Sequence, residues 1–395
     1  MTTPRAALLS ASALLVLAVG LWLGGHPDRL PGPLRDVFVE PQVAAVGEAR
    51  RDIDDLYFRA PDSRVLENGS IEGMIRALRE RYGDRFSHYL DPSSYRRFRD
   101  LTSGQFSGVG LGVHGIKRGL EVTKVFPGSP AERAGMKAGD QIVAVNGRSI
   151  AGQDAQETTA AIKGPPGSTV RLGVVRPSTG ARMTLSMKRA EIEVPVVEGS
   201  LKRVGGRLLA YVHLSTFSRG SHAELRSKIE SLYKRRAQGL LLDLRQNGGG
   251  LLLEGVLNAS ALLPGGKVVV RTSGREQPSH VYRTIGDPLP RKPIVVLIDG
   301  DTASAAEILT AALADNGYAT VAGSRSFGKG SFQRVIPLDN GGALDLTVGA
   351  YLTPKGVSLA GHGIEPSAPA ADNPKTVRDE GLSKALKLLA SELRS

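Results

Sequence analysis

Three short and almost wholly apolar runs, at residues 239–244, 293–298 and 318–322, are separated by segments with helical spacing. Runs of that length, rich in Val, Ile and Leu, read as strands buried on both faces, and strands alternating with helices build an α/β core. That order governs the chain after Pro195. Upstream, residues 106–192 are rich in Gly and Val and alternate in pattern at 141–145 and 169–175, as strands joined by turns do. Residues 37–104 instead carry helical spacing, with Ile71, Met74, Ile75 and Leu78 in phase and interruptions at Pro61 and Pro92. A last amphipathic helix is expected where Leu382, Leu386, Leu389 and Leu393 recur. The 395 residues exceed what one core usually holds. The expected division is 1–25, 26–36, 37–104, 105–192, 193–370 and 371–395.

The amino-terminal stretch is of another kind. After Arg5, residues 6–25 carry no charge and are dominated by Ala, Leu and Val. As a helix, twenty such residues would rise roughly 30 Å, enough to cross a bilayer core. A small-residue cleavage site is not clean, because Leu21, Trp22 and Leu23 extend the apolar run. An uncleaved anchor is therefore favoured over a signal peptide that is cut away. Pro27, Pro31, Gly32 and Pro33 then mark 26–36 as a linker. The positive end should stay inside, which places the rest of the chain outside the cytoplasm, in the periplasm or its equivalent.

Composition closes several alternatives. The net charge of +12 comes without a dense basic cluster, and aromatic residues make up 5%, so nucleic acid is not an expected partner. With no cysteine, thiol nucleophiles and Cys-based metal sites are excluded. The seven histidines are scattered, with no His-x-x-x-His pair, so neither a metal nor another cofactor is expected.

Three segments carry chemistry. In the first, the apolar run 293–298 leads through a short loop to Ser304 and a helix. A serine at a helix amino end meets free N–H groups and a dipole that favour developing negative charge. Ser304-x-x-Glu307 also fits a capping box that merely closes the first turn, and the motif alone favours that reading over catalysis.

The second is Gly328-Lys329-Gly330-Ser331-Phe332-Gln333, which reads as a strand. On a strand, residues four apart share a face, so Gln333 could hold the Lys329 amine. Lysine acts as a base only when burial lowers its pKa, which a sequence does not show. The spacing Gly323-x-x-x-x-Gly328-Lys329 imitates a phosphate-binding loop, but Gly330 stands where Ser or Thr should hold magnesium, and a strand follows where a helix is needed. The third is Asp243-Leu244-Arg245-Gln246-Asn247-Gly248-Gly249-Gly250, whose glycines could bring backbone N–H groups to an oxyanion or simply turn the chain.

Together these segments resemble the carboxyl-terminal processing peptidases, or tail-specific proteases. Their Asp-Leu-Arg-x-Asn-Pro-Gly-Gly is similar to residues 243–250, their nucleophile segment to 302–307, and their Gly-Lys-Gly-x-x-Gln to 328–333. Tyr-x-Thr-Pro-x-Gly and Gly-Ile-Glu-Pro are matched at 351–356 and 363–366. Residues 128–147 resemble the core of PDZ domains in exported proteases, and Phe106-Ser-Gly-Val-Gly-Leu-Gly-Val113 resembles their carboxylate-binding loop. Two positions depart: Gly248 replaces the usual Pro, and Ala306 the second Ser.

The resemblance implies a multidomain α/β protein with a helical amino-terminal region, a β-rich PDZ domain and a protease core of the crotonase/ClpP type. It implies Ser304 as nucleophile, Lys329 as base, Gln333 as its orienting partner, and the N–H groups of Gly250 and Ala305 as oxyanion donors. Gly108, Val109, Gly110, Leu111 and Gly112 would receive a substrate's carboxyl end, the peptide adding as a strand. The implied function is ATP-independent cleavage of exported proteins near apolar carboxyl tails, with room for an adaptor or activator protein and for a homo-oligomer. The chief alternative is a membrane-tethered PDZ scaffold without catalysis.

Overall fold

The computed structural model describes residues 12–17, 19–20, 41–276, 278–372 and 376–393. Most of the anchor and all of the 26–36 linker read from the sequence lie outside the described residues. Among the described residues, no helix is long and apolar enough to cross a membrane. Two compact units divide near Tyr89.

The first unit holds α1 (Pro41–Leu56) and α2 (Ser63–Tyr82), and the chain leaves it through β1 (His88–Leu90). Asp62 caps α2 by accepting the Arg64 N–H, and Gly83 in the left-handed region ends it. The helical spacing read at 71–78 is real, yet only Ile75 of α2 is buried and Met74 is 63% exposed.

The second unit begins with α3 (Pro92–Ser103), whose amino end is fixed by Asp91 accepting the N–H groups of Ser93 and Ser94. It then builds the turn-rich portion: β2 (Gln105–Gly108), β3 (Leu111–Ile116), β4 (Gly119–Val125), α4 (Pro130–Arg133), β5 (Gln141–Val145), β6 (Arg148–Ser149), α5 (Ala155–Ile162), β7 (Thr169–Arg176), β8 (Ala181–Lys188) and β9 (Ala190–Glu193). The sheet runs β3-β4-β5-β7-β8, and β2 pairs with β9 where the chain enters and leaves. Period-two alternation puts Val170, Leu172 and Val174 of β7 against Leu120, Val122 and Ile142. Asp140, 1% exposed, locks one corner: its carboxylate accepts two bonds from Arg176 at 2.7 and 2.8 Å and one from the Lys137 N–H.

Arg189 is a buried charge that the sequence did not announce. Its guanidinium donates to the carbonyls of Ala161, Ile162 and Thr169 and to Ser168 Oγ, closing the carboxyl end of α5. A cation is favoured there by the helix dipole and by the carbonyls left open in the last turn.

The α/β core follows, with β10 (Val197–Val204), β11 (Arg207–Leu214), α6 (Ser221–Lys234), β12 (Leu240–Asp243), α7 (Leu252–Leu262), β13 (Val268–Gly274), β14 (His280–Arg283), β15 (Ile294–Ile298), α8 (Ala305–Asp315), β16 (Ala319–Gly323), β17 (Ser331–Pro337), β18 (Ala343–Leu352), β19 (Ala368–Pro369) and α9 (Glu380–Glu392). Its central sheet runs β10-β11-β12-β15-β16-β19, parallel from β11 onward. The three apolar runs are β12, β15 and β16. Leu240, Leu242, Val296 and Ile298 face α6, α7 and α8, whereas Leu241, Val295 and Leu297 face α9 through Leu386 and Leu389. Both faces are covered, which is why the runs lack alternation. The sequence did not separate out a second, antiparallel layer in which β13 pairs with β14 and β18, and β18 with β17.

Candidate active site

Strand β15 ends at Ile298, and the loop after it is zipped to the loop after β12. The Asp299 carboxylate accepts the N–H groups of Gln246, Asp301 and Thr302; Thr302 Oγ1 donates to the Leu244 carbonyl at 2.8 Å, and the Ala303 N–H to the Asn247 carbonyl at 3.0 Å. Asn247 is fully buried, holding the Leu214 carbonyl with its amide and the Gly249 N–H with its oxygen. This pairing leaves no room at Gly249, where φ is +95° and an added Cβ would come within 2.7 Å of Ser304 Cβ and 2.8 Å of the Ala305 nitrogen.

Ser304 precedes α8 with φ 56° and ψ −119°, a region that non-glycine residues rarely occupy. A capping serine ordinarily has extended backbone angles, so this turn is not an ordinary cap. Strain of this kind is retained where surrounding contacts over-determine it. Half-buried, Ser304 lines a cleft of about 630 Å³ together with Lys329, Gln333, Gly250, Tyr351 and Asp345. Helix α3 supplies Tyr95, Phe98, Arg99 and Thr102 to the same cleft. A hollow of about 670 Å³ on the sheet of β5, β7 and β8 includes no lysine or histidine in its lining.

Glu307, one turn into α8, is fully buried and organises both halves of the cleft. Its Oε2 accepts the N–H groups of Ser304 (3.0 Å) and Lys329 (3.1 Å) and the Tyr351 hydroxyl (3.3 Å). Its Oε1 accepts the Ser326 hydroxyl (2.6 Å) and the Gly328 N–H (2.7 Å). Burial and the Glu307 charge push the Tyr351 phenol well above its usual range, so that it remains a donor. The Glu307 half of the capping box read from the sequence is therefore present, within a wider network.

Lys329 lies in a loop, not in the strand that the sequence suggested, since β17 begins at Ser331. Gly328 and Gly330 flank it with φ of 80° and 66°; a Cβ on either would run into residues 359–363. Burial lowers the pKa of its amine, while the charges of Asp345 and Glu307 act in the opposite sense. Lys329 and Gln333 therefore do not share a strand face, and the register of β17 also shifts between Phe332 and Gln333. Both side chains nonetheless reach the cleft, where Gln333 Nε2 donates to Thr347 Oγ1 at 3.1 Å and Ser331 Oγ at 3.3 Å.

Among the described residues, the N–H groups of Gly250 and Ala305 make no intramolecular hydrogen bond. Gly250, with φ +141°, packs so closely on Phe217 that a Cβ would lie 2.6 Å from its carbonyl oxygen. Away from the cleft, Gly108 ends β2, Val109 is buried and its carbonyl accepts the Ala131 N–H, and Gly110 turns with φ +83°. Leu111 and Gly112 begin β3, which is the edge of its sheet, so one side of its backbone is open to a further strand.

Residues 208–369 match peptidase family S41, and residues 121–176 match the PDZ domain. A carboxy-terminal-processing protease of Bartonella bacilliformis is 36% identical over 332 residues, covering 82% of this chain and 74% of that protein. The chain belongs to the carboxyl-terminal processing proteases of family S41.

It is thus a serine-type peptidase that carries a PDZ domain beside its core. The carboxy-terminal processing protease CtpB of Bacillus subtilis is 31% identical over 377 residues, covering 91% of this chain and 78% of that relative. Among solved structures, the photosystem II D1 C-terminal processing protease is 29% identical with a TM-score of 0.50, covering 90% of this processing protease and 99% of that chain. Glu307, Tyr351, Asp345 and helix α3 are cleft residues that the sequence reading did not assign. For Glu307 the signal was the capping-box spacing, and for Tyr351 the Tyr-x-Thr-Pro-x-Gly motif.

Proposed function

We propose that this processing protease cleaves exported proteins near their carboxyl ends with a Ser304–Lys329 dyad, its PDZ domain receiving the substrate tail. The observation that carries the reading is the shared cleft and shared carboxylate of the two residues. Ser304 stands on a strained turn at a helix amino end, and the base residue is a lysine whose amine burial drives toward the neutral form. Lys329 takes the proton from Ser304 Oγ, which attacks the peptide carbonyl. The N–H groups of Gly250 and Ala305 then receive the oxyanion. The protonated lysine returns its proton to the leaving amine, and water releases the acyl-enzyme. Gln333, fixed by Thr347 and Ser331, shapes the wall around the amine.

Residues 108–112 would take the carboxylate of the tail, and an apolar peptide would extend along β3. Residues 105–192 would form this recognition part, 193–370 the catalytic part, and 371–395 the closing segment that carries α9 (Glu380–Glu392). The apolar stretch 6–25 supports tethering to the membrane with the remainder outside the cytoplasm.

The test is proteolysis of an unfolded protein bearing an apolar carboxyl tail by the full chain, beside Ser304→Ala and Lys329→Ala. Loss of cleavage in both variants, with circular dichroism unchanged, supports the dyad. Undiminished cleavage by either removes that residue from the chemistry, and an inert wild type that also resists a serine-reactive probe favours the scaffold.

A further inference from the structure

The cleft does not end at Ser304. Gly248 lies on a wall shared with a second hollow of about 460 Å³, whose remaining lining is Gln246, Asp301, Ala303 and Phe327. Ala303 is the residue before Ser304, so this hollow abuts the nucleophile's own peptide. Phe327, two residues before Lys329, is 50% exposed. Its backbone is nevertheless fixed, because its N–H donates to the Thr302 carbonyl at 3.0 Å.

Gly248 stands on the wall common to both hollows. The family signature that the chain resembles carries Pro there, yet Gly248 does not use the left-handed region and an added Cβ would meet nothing within 4 Å. A side chain at this position would project into open space beside the two hollows that Gly248 lines; glycine leaves that space clear.

We infer that the Gly248–Phe327 hollow is a specificity subsite that takes an aromatic or long aliphatic side chain of the substrate, from a residue adjoining the scissile bond. The inference rests on the endopeptidase reading of the cleft. Continuity through Gly248 favours a substrate side chain as the occupant, since Gly248 lines both this hollow and the cleft that holds Ser304. The chemistry of the floor names the side chain, with Ala303 and the Phe327 ring supplying apolar surface that water leaves when a large side chain covers it.

The experiment uses the full chain and peptides that share one cleavable sequence and differ only in Phe, Leu or Ala on either side of the scissile bond. The quantity read is the ratio of kcat/KM for the Phe or Leu peptide to that for the Ala peptide. At one of the two positions, the wild type should favour Phe and Leu. Phe327→Ala should reduce that ratio about tenfold, in keeping with what one apolar contact discriminates. Gly248→Pro should reduce it in the same direction by covering the hollow, and Phe327→Leu should restore most of it for the Leu peptide. A ratio unchanged in both Phe327→Ala and Gly248→Pro overturns the subsite while leaving the protease reading intact. A wild type that cuts neither these peptides nor the unfolded protein overturns both.

Discussion

Ser304 and Lys329 share one acceptor: the backbone N–H of each donates to Oε2 of Glu307, at 3.0 and 3.1 Å. The Ser304 turn and the Lys329 loop are therefore tied through one buried carboxylate oxygen, beside the bond of the Phe327 N–H to the Thr302 carbonyl. Glu307→Gln keeps the shape but turns an all-acceptor group into one that also donates, which misdirects part of the network. We expect kcat to fall about a hundredfold with little change in KM, the loss that displacement of reacting groups by about an ångström brings. Glu307→Ala leaves five donors without their acceptor and should cost at least about 3 kcal/mol in denaturant unfolding. A Glu307→Gln enzyme with wild-type kcat would show that the shared atom does not position the pair.

The pH dependence follows from Lys329. Its folded pKa lies below the ordinary 10.5 because burial disfavours the charged amine, so the neutral form that the proposed mechanism requires is reached at lower pH than for a solvated lysine. Activity should rise with pH through that value and be lost below it. Asp345 opposes the shift by stabilising the charged amine, and Asp345→Asn should move the ascending limb of kcat/KM to lower pH. A limb that stays in place rules out Asp345 as a tuning charge.

Gly249→Ala offers a purely steric test. A Cβ there would meet the Ala303 oxygen and Ser304 Cβ at 2.7 Å from a backbone with φ +95°, so one of the two zipped loops must yield. Labelling of Ser304 by a serine-reactive probe should slow at least about tenfold, and stability should drop by about 2 kcal/mol or more. Labelling at the wild-type rate would mean that the loops separate without consequence for Ser304.

In the PDZ domain, the hydrogen bonds of Arg176 hold the Asp140 carboxyl below its ordinary 3.8. A carboxylate lowered on folding stabilises the fold above its unfolded pKa, and that contribution fades as pH falls through the folded value. Hydrogen exchange at β4 and β5 should therefore accelerate below about pH 3.8. Arg176→Met should accelerate it already at pH 7, and the two proteins should converge in acid. Parallel pH profiles for wild type and variant would exclude this pair as the acid-sensitive element.

Much of this architecture was legible because buried parallel strands are written as uninterrupted apolar runs, and β12, β15 and β16 fall within one residue of the limits read. The tail helix was legible through Leu386 and Leu389, which do face the sheet. The Lys329–Gln333 relation was not, because glycines with positive φ hold Lys329 outside the strand and a register shift breaks the period that the argument required. Glu307 shows the limit of local reading. Its contact with Ser304 is three residues away and predictable, whereas those with Ser326, Gly328, Lys329 and Tyr351 depend on segments joined only by the fold. Tyr95, Phe98, Arg99 and Thr102 gave no signal at all, since nothing in an ordinary amphipathic helix says which cleft it will overlook.

The four bonds of Arg189 at the end of α5 bear on how a tail would be chosen. Helix α5 lies beside β3, close enough that a Cβ on Gly115 would touch Ala155 at 3.0 Å. A buried guanidinium fixes its far end before anything enters. A tail added along β3 would meet a neighbour whose position is set in advance, which spends little ordering entropy on its guest and cannot mould itself to a poor one. Selection among tails would then be made on shape at first encounter, and mismatched chains would leave quickly instead of being slowly accommodated.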